Sequence, residues 1–359
     1  MSQRSIIPFG PQHPVFPEPI QLRLVLEDEK VVEALPAIGY VHRGLEKLAE
    51  QKDFLQDVYL IERICGICSF MHAMNYCQGI EQLLGLPVPD RARYLRVIWA
   101  EIHRMHSHLL FLGLLADSFG YENLFMQCMR CREDIVQVME MTAGNRILLT
   151  TCCIGGVRKD IPMNLIDQIQ LALNRVTAQL KDLHPAFAND YTVKKRLMGV
   201  GYLSPEKAHE LGAVGPVAKA SGIAMDLRET GYAAYQDLGF QPITEKAGDC
   251  YARMMIRLRE LDQCMDLVQK AIRLMPDGPL ATPFKANPDG EVAARIEQPR
   301  GELLFFIKGN GTKNLERFRA RTPTFANLAP LLHMLPGYQL ADVPVIVISI
   351  DPCISCTER

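Results

Sequence analysis

The chain has 359 residues, 48% of them hydrophobic and 22% charged, and its formal net charge is −2 at pH 7. A chain of this length buries a substantial core, and its near-neutral charge gives no reason to expect a nucleic-acid partner. The longest apolar runs, residues 109–116 and 343–350, are about eight residues long, far short of the roughly 20 that span a bilayer. We therefore expect any membrane attachment to be made through partners.

The N-terminal region predicts an arm followed by a hairpin. Residues 8–19 hold five prolines, too many for a helix, and indicate an extended arm. Residues 20–26 and 30–35 alternate apolar and polar side chains, the pattern of a β-hairpin. Residues 39–51 then carry the sequence Arg43-Gly44-Leu45-Glu46.

The central region predicts helices. Residues 68–146 have helical periodicity, and from Asp90 to Gly113 the apolar side chains recur at spacings of three and four, which indicates one long buried helix. Further helices are expected at residues 162–183, 205–211 and 249–274. The helix at residues 249–274 is amphipathic and rich in arginine.

After Pro276 the composition shifts toward turns and strands. Residues 299–307 predict a loop and a strand, which pairs with residues 315–319 across a glycine-rich turn. Residues 321–335 predict a helix, and the apolar residues 345–350 lead into the C-terminal motif.

These elements predict one fold unit. We see no internal repeat, low-complexity tract or flexible linker, so we predict a single domain spanning residues 1–359. The predicted fold class is mainly α with minor β (α+β), with a long central helix bundle, an N-terminal hairpin and a C-terminal strand region.

Two Cys-x-x-Cys pairs lie near opposite ends of the chain. Cys65 and Cys68 follow the N-terminal region, and Cys353 and Cys356 belong to the last nine residues. Two cysteines three residues apart can turn both sulfurs toward one ion. Thiolate is the soft ligand that nickel, zinc, copper(I) and iron prefer. The sequence therefore predicts one metal centre that both ends of the chain close.

A structural zinc site and a disulfide framework are the alternative uses of these cysteines. A structural zinc site with four cysteines usually has shorter spacing within a small module. A disulfide framework does not suit eleven cysteines in a chain whose first residues lack the pattern of a secretory leader. Cys128 and Cys131 form a third pair, but they fall in a predicted helix and are expected to be buried thiols. The remaining cysteines are also expected in the core: Cys77, Cys152, Cys153, Cys250 and Cys264.

The two outer pairs carry a family resemblance. Arg-x-Cys-Gly-x-Cys-x-x-x-His from Arg63 to His72, with Asp-Pro-Cys-x-x-Cys-x-x-Arg from Asp351 to Arg359, resembles the large subunit of a [NiFe] hydrogenase. The final Arg, where many relatives have His, resembles the membrane-bound energy-converting branch (group 4), which is akin to the 49 kDa quinone-site subunit of complex I. Gly10-Pro11-Gln12-His13-Pro14 resembles a signature of the same branch. The resemblance implies the fold of that large subunit.

The resemblance also implies a ligand set. Cys65, Cys68, Cys353 and Cys356 would bind nickel, and Cys68 and Cys356 would in addition bridge to an iron with CN and CO ligands. Many relatives hold a magnesium ion near the C-terminus through a terminal His. Arg359 stands there in this chain, and because a guanidinium cannot ligate a cation, magnesium is not expected.

Three further positions match family residues at the centre. Glu46 stands at the place of the proton-transfer glutamate, and a carboxylate close to a metal-bound thiolate can accept a proton. Arg300, after Pro299, matches the arginine above the open metal position, and Pro299 would contact the cofactor. Asp351 is the expected partner of Arg300. A solvated helix glutamate and a surface arginine are the alternatives for Glu46 and Arg300.

Two positions are matched less closely. His72 is expected to hydrogen-bond a bridging sulfur, and a core histidine is the alternative. Glu101, seven residues before His108, falls where aerobic relatives have an Asp in a longer histidine-rich motif, and it is a catalytic candidate.

The implied reaction is 2H⁺ + 2e⁻ ⇌ H2, with the proton held on Cys353 before it passes to Glu46. The chain has no spare cysteine cluster for an electron relay, so a small partner subunit with a [4Fe-4S] cluster, fed by ferredoxin, is expected. Further iron–sulfur and integral-membrane subunits would couple turnover to ion translocation, with this subunit peripheral on the cytoplasmic inner face of the membrane. The alternatives are a nickel-free complex I-like quinone-site subunit and a structural zinc protein.

Overall fold

A computed structural model of the protein describes residues 4–359, and its mainly helical architecture with small antiparallel sheets confirms the predicted fold class. The helices of this described part are α1 (Leu45–Ala49), α2 (Phe54–Glu62), α3 (Ser69–Leu84), α4 (Asp90–Ser118), α5 (Glu122–Ala143), α6 (Met163–Asn189), α7 (Tyr191–Leu197), α8 (Pro205–Glu210), α9 (Pro216–Ala220), α10 (Cys250–Leu274), α11 (Pro323–Ala326), α12 (Leu328–Met334), α13 (Val343–Ser349) and α14 (Ile354–Glu358). Its strands are β1 (Arg4–Phe9), β2 (Gln21–Glu27), β3 (Lys30–Ala37), β4 (Cys152–Cys153), β5 (Gly156–Val157), β6 (Asp289–Gln298), β7 (Gly301–Asn310) and β8 (Arg317–Arg321).

The N-terminal sheet has the strand order β1-β2-β3, and its β2–β3 pair is the predicted hairpin. Part of the expected arm is a strand, because residues 8 and 9 belong to β1 and pair with β2. A proline is tolerated at Pro8 since β1 is an edge strand and need not donate on both sides. The remaining prolines form the arm that leads toward the C-terminal motif.

The helical prediction for residues 68–146 is confirmed by α3, α4 and α5. Helix α4 is buried over most of its length, and its exposed residues are Asp90 at one end and Asp117 at the other, so it forms the centre of the core. Gly113 does not interrupt it because α5 packs there closely, and a Cβ at this position would lie 2.6 Å from the Met129 side chain. A small residue is therefore needed where the two helices meet.

The other three predicted helices are also present. Helix α6 runs on through Pro185 to Asn189, beyond the predicted end at residue 183. Helix α10 begins after Asp249, whose side chain accepts a hydrogen bond from the Ala252 N–H. Its arginines Arg253 and Arg257 are fully buried rather than solvated.

The C-terminal region contains more structure than the sequence predicted. The β7–β8 pairing is confirmed, but β6, which pairs along the whole of β7, was missed because its Ala and Glu residues have weak strand preference. The helix predicted at residues 321–335 is two short helices, α11 and α12. The apolar run before Asp351 is helix α13, in a region predicted as turns and strands. Its β-branched residues are buried against α4 and α10, and this packing overrides their strand preference.

The core brings the two ends of the chain together. Buried apolar side chains from Phe9 to Cys356 belong to one contiguous cluster, with α4 packed against α5 and α10. The Leu45 N–H donates to the Arg359 carbonyl, so the start of α1 touches the last residue. The single-domain organisation stays a prediction. Between residues 4 and 359, none of the helices combines the length and apolar character needed to cross a membrane.

Candidate metal centre

The two outer cysteine pairs lie where loops lead into helices. Cys65 and Cys68 precede α3, whereas Cys353 directly precedes α14 and Cys356 lies within that helix. Arg43 joins the two loops: its guanidinium donates to the Ile64 carbonyl at 2.7 Å and to the Ser355 carbonyl at 3.2 Å. One arginine thus holds both ligand loops in register.

The four sulfurs converge in the interior. Cys65 Sγ lies 3.2 Å from Cys353 Sγ, and Cys68 Sγ lies 3.3 Å from Cys356 Sγ. The ligand atoms of Cys65, Cys68 and Cys356 all lie within 4.8 Å of one another, and each of the four cysteines is at most 4% exposed. The structure therefore brings all four predicted ligands into one cluster with soft donors only.

The thiols of this cluster share protons. Burial alone would raise the pKa of Cys68, but hydrogen bonds from Cys353, Cys356 and Cys65 lower it well below its ordinary value. Burial and the same contacts raise the pKa of Cys356 well above its ordinary value. Cys68 therefore loses its proton readily, whereas Cys356 resists ionisation. The reason is that adjacent buried thiolates repel each other unless a cation neutralises them. This donor set fits a metal ion.

His72 lies one helical turn after Cys68 on α3. Its Nε2 atom is 3.3 Å from the Sγ atoms of both Cys68 and Cys356, and its ring stacks on Phe305 at a centroid distance of 5.9 Å. These two sulfurs are the pair expected to bridge the metals. The imidazole is thus placed where a hydrogen bond would tune both sulfurs.

Arg300 and Asp351 form the predicted ion pair. The Arg300 guanidinium donates to the Asp351 carbonyl at 2.8 Å and to its carboxylate at 3.0 Å, and both side chains are almost fully buried. Arg300 Nη1 and Asp351 Oδ2 have no hydrogen-bond partner among residues 4–359. Pro299 is buried in the turn between β6 and β7. Unpaired buried polar atoms beside four thiols suit a bound group with polar ligands.

A cavity of about 280 Å³ adjoins this arrangement. Arg300, Asp351, Cys65 and Cys353 line it together with apolar side chains, while Cys68 and Cys356 lie outside its lining. Its remaining lining residues are Pro17, Glu18, Gly66, Ile67, Leu110, Phe111, Leu114, Ile348 and Pro352. The cavity therefore reaches the two cysteines expected to be terminal ligands.

Glu18 is a residue of this cavity that sequence reasoning missed. Its carboxylate accepts hydrogen bonds from the Ile354 N–H at 2.5 Å, from the Ser355 N–H at 3.0 Å and from the Ser355 hydroxyl. The signal available in the sequence was its place in the proline-rich arm, which is stiff enough to aim one carboxylate. Glu18 fixes the start of α14, between Cys353 and Cys356.

Glu46 lies in another environment. Its carboxylate accepts from the Ala320 N–H at 2.9 Å, from Arg359 at 2.8 Å and from Arg319 at 3.3 Å. Burial would raise the pKa of Glu46, but these hydrogen bonds and the charge of Arg359 hold it below its ordinary value. No cysteine is among its hydrogen-bond partners in residues 4–359, and it lines a different cavity with His42. The predicted transfer from Cys353 to Glu46 stays a prediction.

Glu101 lies in a buried network of charges. It accepts from the Tyr235 hydroxyl at 2.5 Å and pairs with Arg104 and Arg228 at 3.3 Å. Two residues later on α4, His103 Nε2 lies 3.3 Å from the Ser69 hydroxyl beside Cys68, and burial lowers the pKa of His103 to about 4. His103, which the sequence did not single out, therefore contacts the residue next to Cys68, whereas Glu101 contacts only other members of the charge network.

The third cysteine pair is not a ligand pair. Cys128 and Cys131 are fully buried within α5, as predicted, and burial raises the pKa of Cys131 to about 12. Among the described residues, neither thiol belongs to a group of candidate metal ligands. The other cysteines are buried as predicted, except Cys153, which is partly exposed.

Two family models match the chain. The model described as "Nickel-dependent hydrogenase" matches residues 43–117, which include the first cysteine pair. The model described as "Respiratory-chain NADH dehydrogenase, 49 Kd subunit" matches residues 118–287 and 280–359. The two matches follow one another along the chain.

Full-length relatives agree with these matches. The chain is 40% identical to the carbon monoxide-induced hydrogenase of Rhodospirillum rubrum over 98% of this chain and 99% of that protein. It is also 40% identical to the membrane-bound hydrogenase subunit alpha of Pyrococcus furiosus, over 98% of this chain and 87% of that protein. Among solved structures, a chain of the membrane-bound sulfane sulfur reductase, an archaeal respiratory membrane complex, matches with a TM-score of 0.94 and 28% identity over 99% of this chain and 98% of that one.

Proposed function

Because the chain belongs to the family that joins the large subunits of membrane-bound [NiFe] hydrogenases with the 49 kDa subunit of complex I, we propose that it is the catalytic subunit of an energy-converting [NiFe] hydrogenase. Its reaction is 2H⁺ + 2e⁻ ⇌ H2. The observation that carries this proposal is the cluster of four buried thiols from Cys65, Cys68, Cys353 and Cys356. These residues would hold the nickel on which the matching hydrogenase family depends.

The finer composition of the centre is part of the proposal. Nickel would be held by all four thiolates, and an iron with CO and CN ligands would share Cys68 and Cys356. When bound, this centre supplies the heterolytic cleavage and formation of H2. Arg300 Nη1, unpaired among residues 4–359, would donate to the polar ligands of the iron, with Pro299 packed beside them. The Arg300–Asp351 pair fixes that guanidinium.

The chain's own residues then manage the proton. The thiol of Cys353, at the cavity wall, would hold the proton, and Glu46 is the proposed acceptor on its way to solvent. Arg319 and Arg359 hold Glu46 ionised, so it is ready to accept, but its lowered pKa makes it a weak base. Glu18 is a positioning residue: it keeps the loop that carries Cys353 in place.

Electrons and ions require partners. Between residues 4 and 359, this cysteine cluster is the one place where three or more possible metal-ligand side chains meet. The electron relay would therefore be supplied by another subunit. We propose a small subunit with a [4Fe-4S] cluster, fed ultimately by ferredoxin, and integral-membrane subunits that translocate ions. The names of one relative and one structural neighbour refer to membrane-bound proteins, which supports a peripheral position on the inner face of the membrane.

The second candidate is a nickel-free complex I-like quinone-site subunit. It is favoured by the match of residues 118–359 to the 49 kDa family model. The four converging thiols favour the hydrogenase, because a quinone site has no use for a cluster of soft ligands.

Metal analysis of the purified complex, combined with H2 evolution from a reduced viologen dye, separates the candidates. We expect nickel and iron together, and H2 evolution that is lost with the nickel. Absence of both metals with quinone reduction would support the second candidate. Zinc alone, without turnover, would support a structural site and overturn both.

A further inference from the structure

A buried ion cluster lies beside the metal centre and takes no part in the proposed reaction. Its members are joined by ion pairs of 4.0 Å or less and are at most 4% exposed. They come from α4, α9, β6, α10 and the segment after α9. The members are Glu101, Arg104, Lys219, Asp226, Arg228, Glu260 and Glu297.

The ion-paired members of this cluster hold one carboxyl group more than cations. Four carboxyl groups face three cations, and the neighbouring His108, hydrogen-bonded to Glu260 at 2.7 Å, adds no charge because burial lowers its pKa to about 4. Arg257, one turn before Glu260, makes no ion pair and donates to main-chain carbonyls, but its buried charge acts on Asp351 and Glu260. Which carboxyl group holds a proton therefore depends on the contacts of each one, and not on the charge count alone.

Glu297 is the carboxyl with the weakest partners. Asp226 and Glu260 each approach Lys219 within 2.9 Å, whereas Glu297 Oε1 is 4.0 Å from it and has no hydrogen-bond partner among residues 4–359. Its other oxygen accepts only the Leu227 N–H, at 3.2 Å. Burial and the charge of Asp226 raise the pKa of Glu297 to about 8, although Lys219, Arg228 and Arg104 oppose the rise.

Glu297 also lies close to solvent and close to Arg300. Leu227 and Tyr232, which contact its main chain or carboxyl, line a surface cavity of about 480 Å³. Three residues further on, the turn from β6 to β7 carries Arg300. That turn touches the start of α9: a Cβ at Gly215 would lie 2.3 Å from the Gly301 Cα. Helix α9 carries Lys219, so the cluster and Arg300 flank one tight contact.

We propose that Glu297 is a positioning residue for the metal centre that is protonated at neutral pH, exchanges its proton with the surface cavity beside Leu227 and Tyr232, and through its charge sets the position of the turn that carries Arg300. When Glu297 loses its proton, Lys219 is drawn from Asp226 and Glu260 toward it. Because α9 packs on the turn, this movement is passed to Arg300. The role in turnover rests on the proposed function, but the protonation state does not.

The first test is spectroscopic and independent of activity. In infrared difference spectra of the complex between H2O and D2O, the wild type should show the carbonyl stretch of a protonated buried carboxyl that is missing from Glu297→Gln. Glu302→Gln is the control, since Glu302 is the register partner of Glu297 on β7 and pairs with arginines instead. We expect the control to keep the band. A band unchanged in Glu297→Gln would overturn the proposal.

The second test is the pH profile of H2 evolution. A single carboxyl changes its protonated fraction about tenfold between one pH unit below and one above its pKa. As the pH rises from one unit below to one unit above about 8, the wild type and Glu302→Gln should therefore lose up to about tenfold more activity than Glu297→Gln. The amide of Glu297→Gln stays neutral throughout. Parallel profiles for all three proteins, with the band lost as expected, would overturn the positioning role. Nickel content, measured alongside, reports separately on the metal site.

Discussion

The protein buries two polar clusters in one helical core, and they are built in opposite ways. In the metal centre, four thiols from two loops meet at 3.2 and 3.3 Å, and buried atoms of Arg300 and Asp351 have no partner among residues 4–359. In the ion cluster, every cation has at least one carboxyl partner. The first arrangement suits the binding of a ligand, and the second supports the core around it.

This difference indicates which property the loss of a side chain should change. A side chain of the metal centre holds a group that the chain binds, so its removal should affect metal content or turnover more than folding. A side chain of the ion cluster balances buried charge, so its removal should affect folding first.

The largest effect is expected at the ligands. Cys65→Ser and Cys356→Ser should each abolish nickel binding and H2 evolution, because serine is a hard and mostly protonated ligand. Metal analysis of the purified complex measures the loss directly. Cys128→Ala, a buried thiol outside the centre, is the control and should keep the metal. Full nickel occupancy in either serine variant would contradict the four-thiolate site.

The next largest effect is expected in the ion cluster. Glu260→Ala removes the shorter of the two buried ion pairs of Lys219, one partner of Arg228 and the hydrogen-bond partner of His108, and should lower the free energy of unfolding by about 3–5 kcal/mol. Urea denaturation measures the change. Glu245→Ala, which removes a surface partner of Arg259, is the matched control and should cost at most about 1 kcal/mol. Equal losses in the two variants would mean that burial of the cluster contributes nothing.

The two clusters also differ in how far the sequence predicts them. The metal centre could be predicted because its ligands lie in two short motifs, so local spacing shows both the residue types and their likely partners. The pairing of Arg300 with Asp351 followed from the same motifs. Glu18 could not be predicted in this way, because its contacts depend on how the arm folds back onto a loop more than three hundred residues later.

The ion cluster has no such signature. Lys219 lies in a segment that resembles the family's pattern, but that pattern assigns it no partner, and only the packing of α9 against α10 buries Lys219 and Glu260 together. The fold shows the same limit: long periodic helices such as α4 were predicted, whereas β6 and α13 were not, since their neighbours rather than their own propensities decide their structure. Long-range packing is what the sequence pattern leaves out.

A smaller effect, confined to turnover, is expected at Arg300. Arg300→Lys keeps the charge but loses the planar fork that donates to Asp351 at two points. H2 evolution should fall by about 10²–10³-fold, the loss typical of one oriented donor, while nickel and iron remain. Paired activity and metal measurements test this. Arg175→Lys is the control, because that exposed arginine pairs with Asp134 and lies outside the cavity. Wild-type turnover in Arg300→Lys would remove it from the centre.

The smallest effect is expected at Glu46. This residue is ion-paired, like the members of the ion cluster, but it is predicted to carry protons for the metal centre. Glu46→Gln keeps the size of the side chain and can still accept from the Ala320 N–H, so the metal should bind normally. The pKa of Glu46 is held low by Ala320, Arg359 and Arg319 against the effect of burial, which makes it a weak base. We therefore expect a loss near the lower end for a proton-transfer group, about 10²-fold in H2 evolution and in hydrogen–deuterium exchange with solvent.

The same variant separates proton exit from chemistry at the metal. Interconversion of para- and ortho-H2 needs only cleavage and recombination within the centre, so Glu46→Gln should retain it while exchange with solvent falls. Glu50→Gln is the matched control: Glu50 lies one helical turn after Glu46, at the end of α1, and is paired with Arg317 and Lys47, but it does not line the cavity that Glu46 shares with Arg359. If Glu46→Gln exchanges deuterium at the normal rate, the proton leaves by another route. The cavity shared by Cys353 and Glu18 is then the route that the geometry offers, because it reaches the same terminal thiol without passing the Glu46–Arg359 pair.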